Sequence, residues 1–94
     1  MPLFVLHCVD KPGSLEVRMG AREAHLAYVR ERLDVVKLGG PFFDANGDMA
    51  GSLLILDVPD QAAAEAFTRN DPYALAGLFE RVEVRPFRAS IGSL

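Results

Sequence analysis

Arg22-Glu23-Ala24-His25 is the stretch of this chain richest in chemistry. An imidazole with an ordinary pKa of about 6.5 can take up and return a proton near neutral pH. A guanidinium three residues away, one turn along a helix, could anchor an anionic or enolic group. Asp71, followed by Pro72, is the second candidate. Asp before Pro is an ordinary helix cap with Pro at the first helical position. The same carboxylate could instead orient His25, as the acid does in hydrolytic triads. Tyr73 can supply a phenol and Ser52 a hydroxyl donor to the same pocket. Packing is the commoner role for such a Tyr. Ser52 lacks the Gly-x-Ser-x-Gly setting of a nucleophile.

Other residues carry less. His7 lies in an apolar run and reads as a satisfied core histidine, and Cys8 beside it as a buried, inert thiol. The histidines and carboxylates lack metal-ligand spacing, and a single Cys builds no zinc site. Gly39-Gly40 has no strand-to-helix context for a phosphate loop. No metal and no cofactor is expected.

These side chains need elements to hold them. At 100° per residue from Leu15, the residues Leu15, Met19, Leu26, Val29 and Leu33 fall within about 40° of one line. That stripe predicts a helix from Leu15 to Leu33 whose apolar side faces a core. Ser14 is its expected N-cap, and Glu16 suits the helix dipole. Arg22 falls mid-stripe, where it is costly unless it reaches a carboxylate or carbonyl. His25 falls at the stripe's edge, on the side of Arg18 and Arg32.

Pro2 to Val9 and Gly51 to Val58 are apolar at nearly every position, the pattern of strands buried on both faces. Asp34 to Phe43 is a further strand, with Gly39-Gly40-Pro41 implying a bulge or an edge. Asn46-Gly47 signals a hairpin. Asp60 should cap a second helix, Gln61 to Arg69, packed through Ala63, Phe67 and Ala66. A short helical turn is expected at Ala74 to Leu78. Phe79 to Arg88 is the last strand, with Val82 and Val84 on one side and Pro86 best placed on an edge. Ala89 to Leu94 reads as a tail. The order β-α-β-β-α-β in 94 residues is the ferredoxin-like, split βαβ arrangement, α+β in class and one domain over residues 1–94. Two helices cover only one face of such a sheet. A second copy is the simplest cover for the other, which predicts a homodimer forming an α/β barrel.

Composition sets limits. Half the residues are hydrophobic, mean hydropathy is +0.14 and net charge is −3. No basic patch points to nucleic acid. No apolar run is long enough to cross a membrane. With one Cys and no disulfide framework, a reducing, cytoplasmic setting is expected.

The chain resembles the YciI-like (YCII-related) family of small bacterial proteins. The matching segments are Asp10-x-Pro12-Gly13-Ser14-Leu15-Glu16-x-Arg18, Arg22-Glu23-x-His25-Leu26, Gly40-Pro41, Gly51-Ser52, Asp71-Pro72-Tyr73 with Ala76-Gly77, and Val84-x-Pro86-Phe87. They span almost the whole chain in order. The resemblance implies a dimeric α/β barrel with His25 and Asp71 as the active-site pair. It also implies similarity to a dehydrochlorinase acting on a chlorinated hydroxyhydroquinone and, more distantly, to muconolactone-isomerase-like barrels. The loop from Asp44 to Ala50 is shorter than in many relatives. The expected function is acid–base chemistry of lyase or isomerase type on a small cyclic or carbonyl compound. The alternative is a non-catalytic, small-ligand-binding or accessory dimer.

Overall fold

The computed structural model describes residues 2–94. The elements run β1 (Leu3–Asp10), α1 (Leu15–Arg30), β2 (Val36–Phe43), β3 (Met49–Asp57), α2 (Gln61–Asn70), α3 (Pro72–Leu75) and β4 (Phe79–Phe87). All strand pairs are antiparallel, in the order β2-β3-β1-β4. The fold is α+β and ferredoxin-like. The two strands that read apolar throughout, β1 and β3, are the central ones. Pro41 and Pro86 lie in the two edge strands, where a missing N–H is tolerated.

The alternation of β1 divides the sheet into two faces. Phe4, Leu6 and Cys8 join Leu54, Leu56, Val36, Val58, Ala64 and Phe67 in one core beneath the helices. Leu3, Val5, His7 and Val9 point the other way, in register with Asp57, Ile55, Leu53 and Gly51. That second face is apolar at its centre, with Glu83 and Arg85 of β4 at one side, and its outer aromatics are open: Phe42 is 41% exposed and Phe87 43%. His7 belongs to it. It is not the satisfied core histidine expected, but a half-exposed ring beside Glu83 at 3.5 Å and edge-on to Phe42.

Local chemistry fixes the turns. Asp44 Oδ1 accepts the N–H groups of Asn46 and Asp48, and Gly47 takes a φ of +83°. Asp60 caps α2 through Ala63 N at 2.9 Å. Ser14, by contrast, makes no side-chain cap hydrogen bond. A Cβ at Gly51 would stand 2.6 Å from the Cys8 carbonyl oxygen, so a side chain there would force the central strands apart.

Two expectations are corrected. The short helix begins at Pro72, not Ala74, because Asp71 caps it with Pro in the first turn. The first helix ends at Arg30, and only part of its apolar stripe is buried: Val29 packs against the core, but the outer members do not. Leu15 is 37% exposed, Met19 51% and Leu33 61%, whereas Arg18 and His25 are its buried residues. The helix is turned so that its polar side meets buried polar partners, an outcome that apolar periodicity cannot foresee.

Cys8 is 1% exposed. Burial, helped by the negative charge of Asp71, pushes its thiol up to about 12. Above the ordinary thiol pKa of about 9 the unfolded chain loses this proton and the folded chain keeps it. Cys8 should therefore resist alkylation at pH 8 until the chain unfolds. Its contribution to stability should be full below about pH 9 and fall away toward about 12, at up to about 1.4 kcal/mol per pH unit, measured by urea titrations across that range.

Candidate active site

Arg18 reaches from the first turns of α1 to the last residue of β1. Its Nε donates to Asp10 Oδ2 at 2.7 Å and its Nη2 to Oδ1 at 2.9 Å, a two-pronged buried ion pair. Nη2 also donates to Ser52 Oγ on β3 at 2.9 Å. The guanidinium carbon lies 4.5 Å from the centre of the Tyr73 ring in α3. Burial alone would weaken its hold on a proton, but the Asp10 contact outweighs burial and raises the Arg18 pKa. The group is a fixed cation.

His25 follows Arg18 by seven residues, two helical turns, and shares its face. Its Nδ1 lies 2.9 Å from Asp71 Oδ1, with side-chain exposures of 10% and 3%. A carboxylate can only accept, so Nδ1 donates, and in the neutral ring Nε2 then carries the lone pair. The same Asp71 oxygen accepts Tyr73 N at 2.9 Å, which caps α3. Both sequence readings of Asp71, cap and His partner, therefore hold at one atom. Tyr73 stacks on His25, with centroids 4.0 Å apart and planes at 14°. Burial raises the Tyr73 phenol pKa against the pull of Arg18 and Arg22, so at neutral pH it stays an O–H donor. Gly77, at φ +73°, ends α3 and lets Leu78 N reach Tyr73 O at 3.1 Å.

A cavity of about 390 Å³ opens between α1 and strands β2 and β3. Arg18, Arg22, His25, Ser52 and Tyr73 line its polar end; Leu26, Val29, Leu33, Val36, Met49 and Leu54 line most of the rest, together with Lys37 and the Gly39-Gly40-Pro41 stretch of β2. Of the residues singled out in the sequence, four reach the cavity. Asp71 stands behind His25 and does not line it.

The expectation for Arg22 is corrected. It is half-buried at the cavity wall and makes no hydrogen bond or ion pair among the described residues. The buried, paired guanidinium belongs to Arg18. Sequence reasoning missed Arg18 and Asp10 as site residues. The signal was the spacing Arg18-x3-Arg22-x2-His25, which puts three basic groups on one helical face.

The model of the YCII-related domain matches residues 2–88. The chain belongs to the YCII-related family. It is 38% identical to the protein YciI of Escherichia coli O6:H1, over 92% of this chain and 96% of that one. An uncharacterised Haemophilus influenzae protein is 33% identical, over 90% and 95%. Among solved structures, this YCII-related chain resembles 5-chloro-2-hydroxyhydroquinone dehydrochlorinase of Burkholderia phenoliruptrix in complex with 2,5-dihydroxybenzoquinone. The TM-score is 0.87 at 36% identity, covering 92% of this chain and 93% of that one. An antibiotic biosynthesis monooxygenase from Bacteroides thetaiotaomicron, at 12% identity and TM-score 0.61, shares the fold alone.

The Asp10–Arg18 pair is nearly fully buried, so removing one partner strands a charge. Asp10→Leu should cost about 3–5 kcal/mol in chemical denaturation. Asp10→Leu combined with Arg18→Met should recover most of that loss, because no charge is then left unpaired. Equal loss in the single and double variants would show that packing, not charge, holds this corner.

Proposed function

We propose that the protein is a small-molecule enzyme of lyase or isomerase type, working by general acid–base catalysis through His25 and Asp71. One observation carries this reading: a nearly buried imidazole, pinned at Nδ1 by a carboxylate 2.9 Å away, on the wall of a cavity. The structural neighbour bound to a dihydroxybenzoquinone supports an enolisable, oxygenated ring as substrate.

The steps follow from the groups present. Nε2 takes a proton from a carbon next to a carbonyl; the C–H electron pair forms a carbon–carbon double bond and the C=O π pair moves onto the oxygen. The resulting enolate meets the Tyr73 and Ser52 hydroxyls and the Arg22 cation. Ser52 accepts from Arg18 and so keeps its own O–H for the substrate. Asp71 stabilises the imidazolium without taking its proton. Returning the proton at another carbon gives an isomerase. Loss of an anion from the neighbouring carbon gives a lyase, with the proton passing from His25 to water.

A second copy of the chain, we propose, packs on the sheet face formed by Leu3, Val5, Val9, Leu53 and Ile55. Support comes from the apolar centre of that face and from the lack of a helix over it among the described residues. Sedimentation at micromolar concentration should give twice the chain mass, and Val5→Lys should shift it to monomer. A wild-type monomer would remove this proposal.

The chemistry is tested with 2-hydroxy-1,4-benzoquinones in deuterated water, following ring-proton exchange by NMR. Wild type should accelerate exchange. His25→Asn should lose about 10²–10⁴-fold. Asp71→Asn should lose less than that and keep the cap of α3, since Asn caps about as well as Asp, whereas Asp71→Ala should also cost about 1 kcal/mol of stability. Exchange undiminished in His25→Asn would refute the acid–base role.

A further inference from the structure

A single oxygenated ring at His25 would leave most of the cavity empty. Its volume of about 390 Å³ is more than twice the roughly 150 Å³ that accommodates benzene in a protein core. The wall is also divided along α1. Arg22 and His25 mark the polar end; Leu26, Val29 and then Leu33 in the turn beyond carry an apolar wall away from it. At about 1.5 Å per residue, Val29 lies roughly 6 Å past His25 along the helix, with Leu33 further on. Across from it, Leu54 continues the apolar lining, while Lys37 of β2, also at the wall, has its Nζ turned to the Asp34 carbonyl at 3.0 Å. Past His25, α1 gives the cavity apolar side chains and no charge.

We propose that the substrate is an oxygenated ring bearing an apolar substituent several carbons long. The ring sits at His25 and the substituent runs along Leu26, Val29 and Leu33. This rests on the acid–base reading only for where it places the ring. It also accounts for Leu26 and Leu33, stripe residues that line the cavity without joining the core. Leu33, 61% exposed, is the outer end of this substituent channel.

The test is a series of 2-hydroxy-1,4-benzoquinones with no substituent, methyl, propyl and pentyl, binding measured by calorimetry. His25→Asn serves as the non-reacting protein and wild type as control. Affinity should tighten by about fourfold for each buried methylene. Leu33→Ser, at an exposed position, should flatten the pentyl end of the series and leave the unsubstituted ring unchanged. Leu26→Ser should flatten it earlier. Affinity that does not change from no substituent to pentyl overturns the inference and leaves these residues as a surface for another chain. The two readings fail separately: a lengthening series without exchange chemistry sinks only the enzyme, and exchange with a flat series sinks only the substituent channel.

Discussion

A charge that cannot reach water must find its opposite, and in this protein that constraint falls on Arg18. Its guanidinium meets the end of β1 through Asp10, β3 through Ser52 and α3 through the Tyr73 ring. Four elements distant in sequence are thereby held at one corner. An apolar quartet of the same volume would hold them about as well or better. What the ion pair adds is direction. It decides which side of α1 turns inward, and so where His25 stands.

From that corner the site assembles with little freedom. Tyr73 lies against Arg18 and stacks on His25, while its backbone N–H and the His25 Nδ1 converge on one oxygen of Asp71. Tyr28 ties the far half of α1 down by donating to Phe67 O at 2.7 Å. Between these two fastenings the helix bridges over β2 and β3 without lying flat on them, and the cavity is the space left beneath. Fold and pocket are consequences of the same few polar contacts.

The sequence carried the topology well, for physical reasons. Continuous apolar runs mark central strands, Asn46-Gly47 and Asp60 make their own turns, and Pro41 and Pro86 suit only edges. It also singled out His25, Asp71, Tyr73 and Ser52, which the structure brings to one corner, although local sequence favoured plain capping and packing roles for the last three and only the family resemblance paired His25 with Asp71. It failed on the orientation of α1. Apolar periodicity assumes that burial goes to apolar groups, and here burial went to Arg18 and His25. Leu15, Met19 and Leu33 were left outside. Asp10, eight residues before Arg18 and in a different element, gains its partner only once β1 and α1 are packed. Pairings of that kind are three-dimensional facts without a local signature.

The prolines at the two borders of the sheet have a further consequence. A strand edge offers free N–H and C=O groups that any extended chain can join, the usual start of uncontrolled assembly. Pro41 in β2 and Pro86 in β4 have no N–H to offer an incoming strand. Growth of the sheet sideways is thereby discouraged at both ends, even though Phe42, Phe43 and Phe87 stand exposed beside these prolines. A chain with so much apolar surface thus carries its protection against fibre formation at its borders, and contact with other chains is steered away from open-ended stacking.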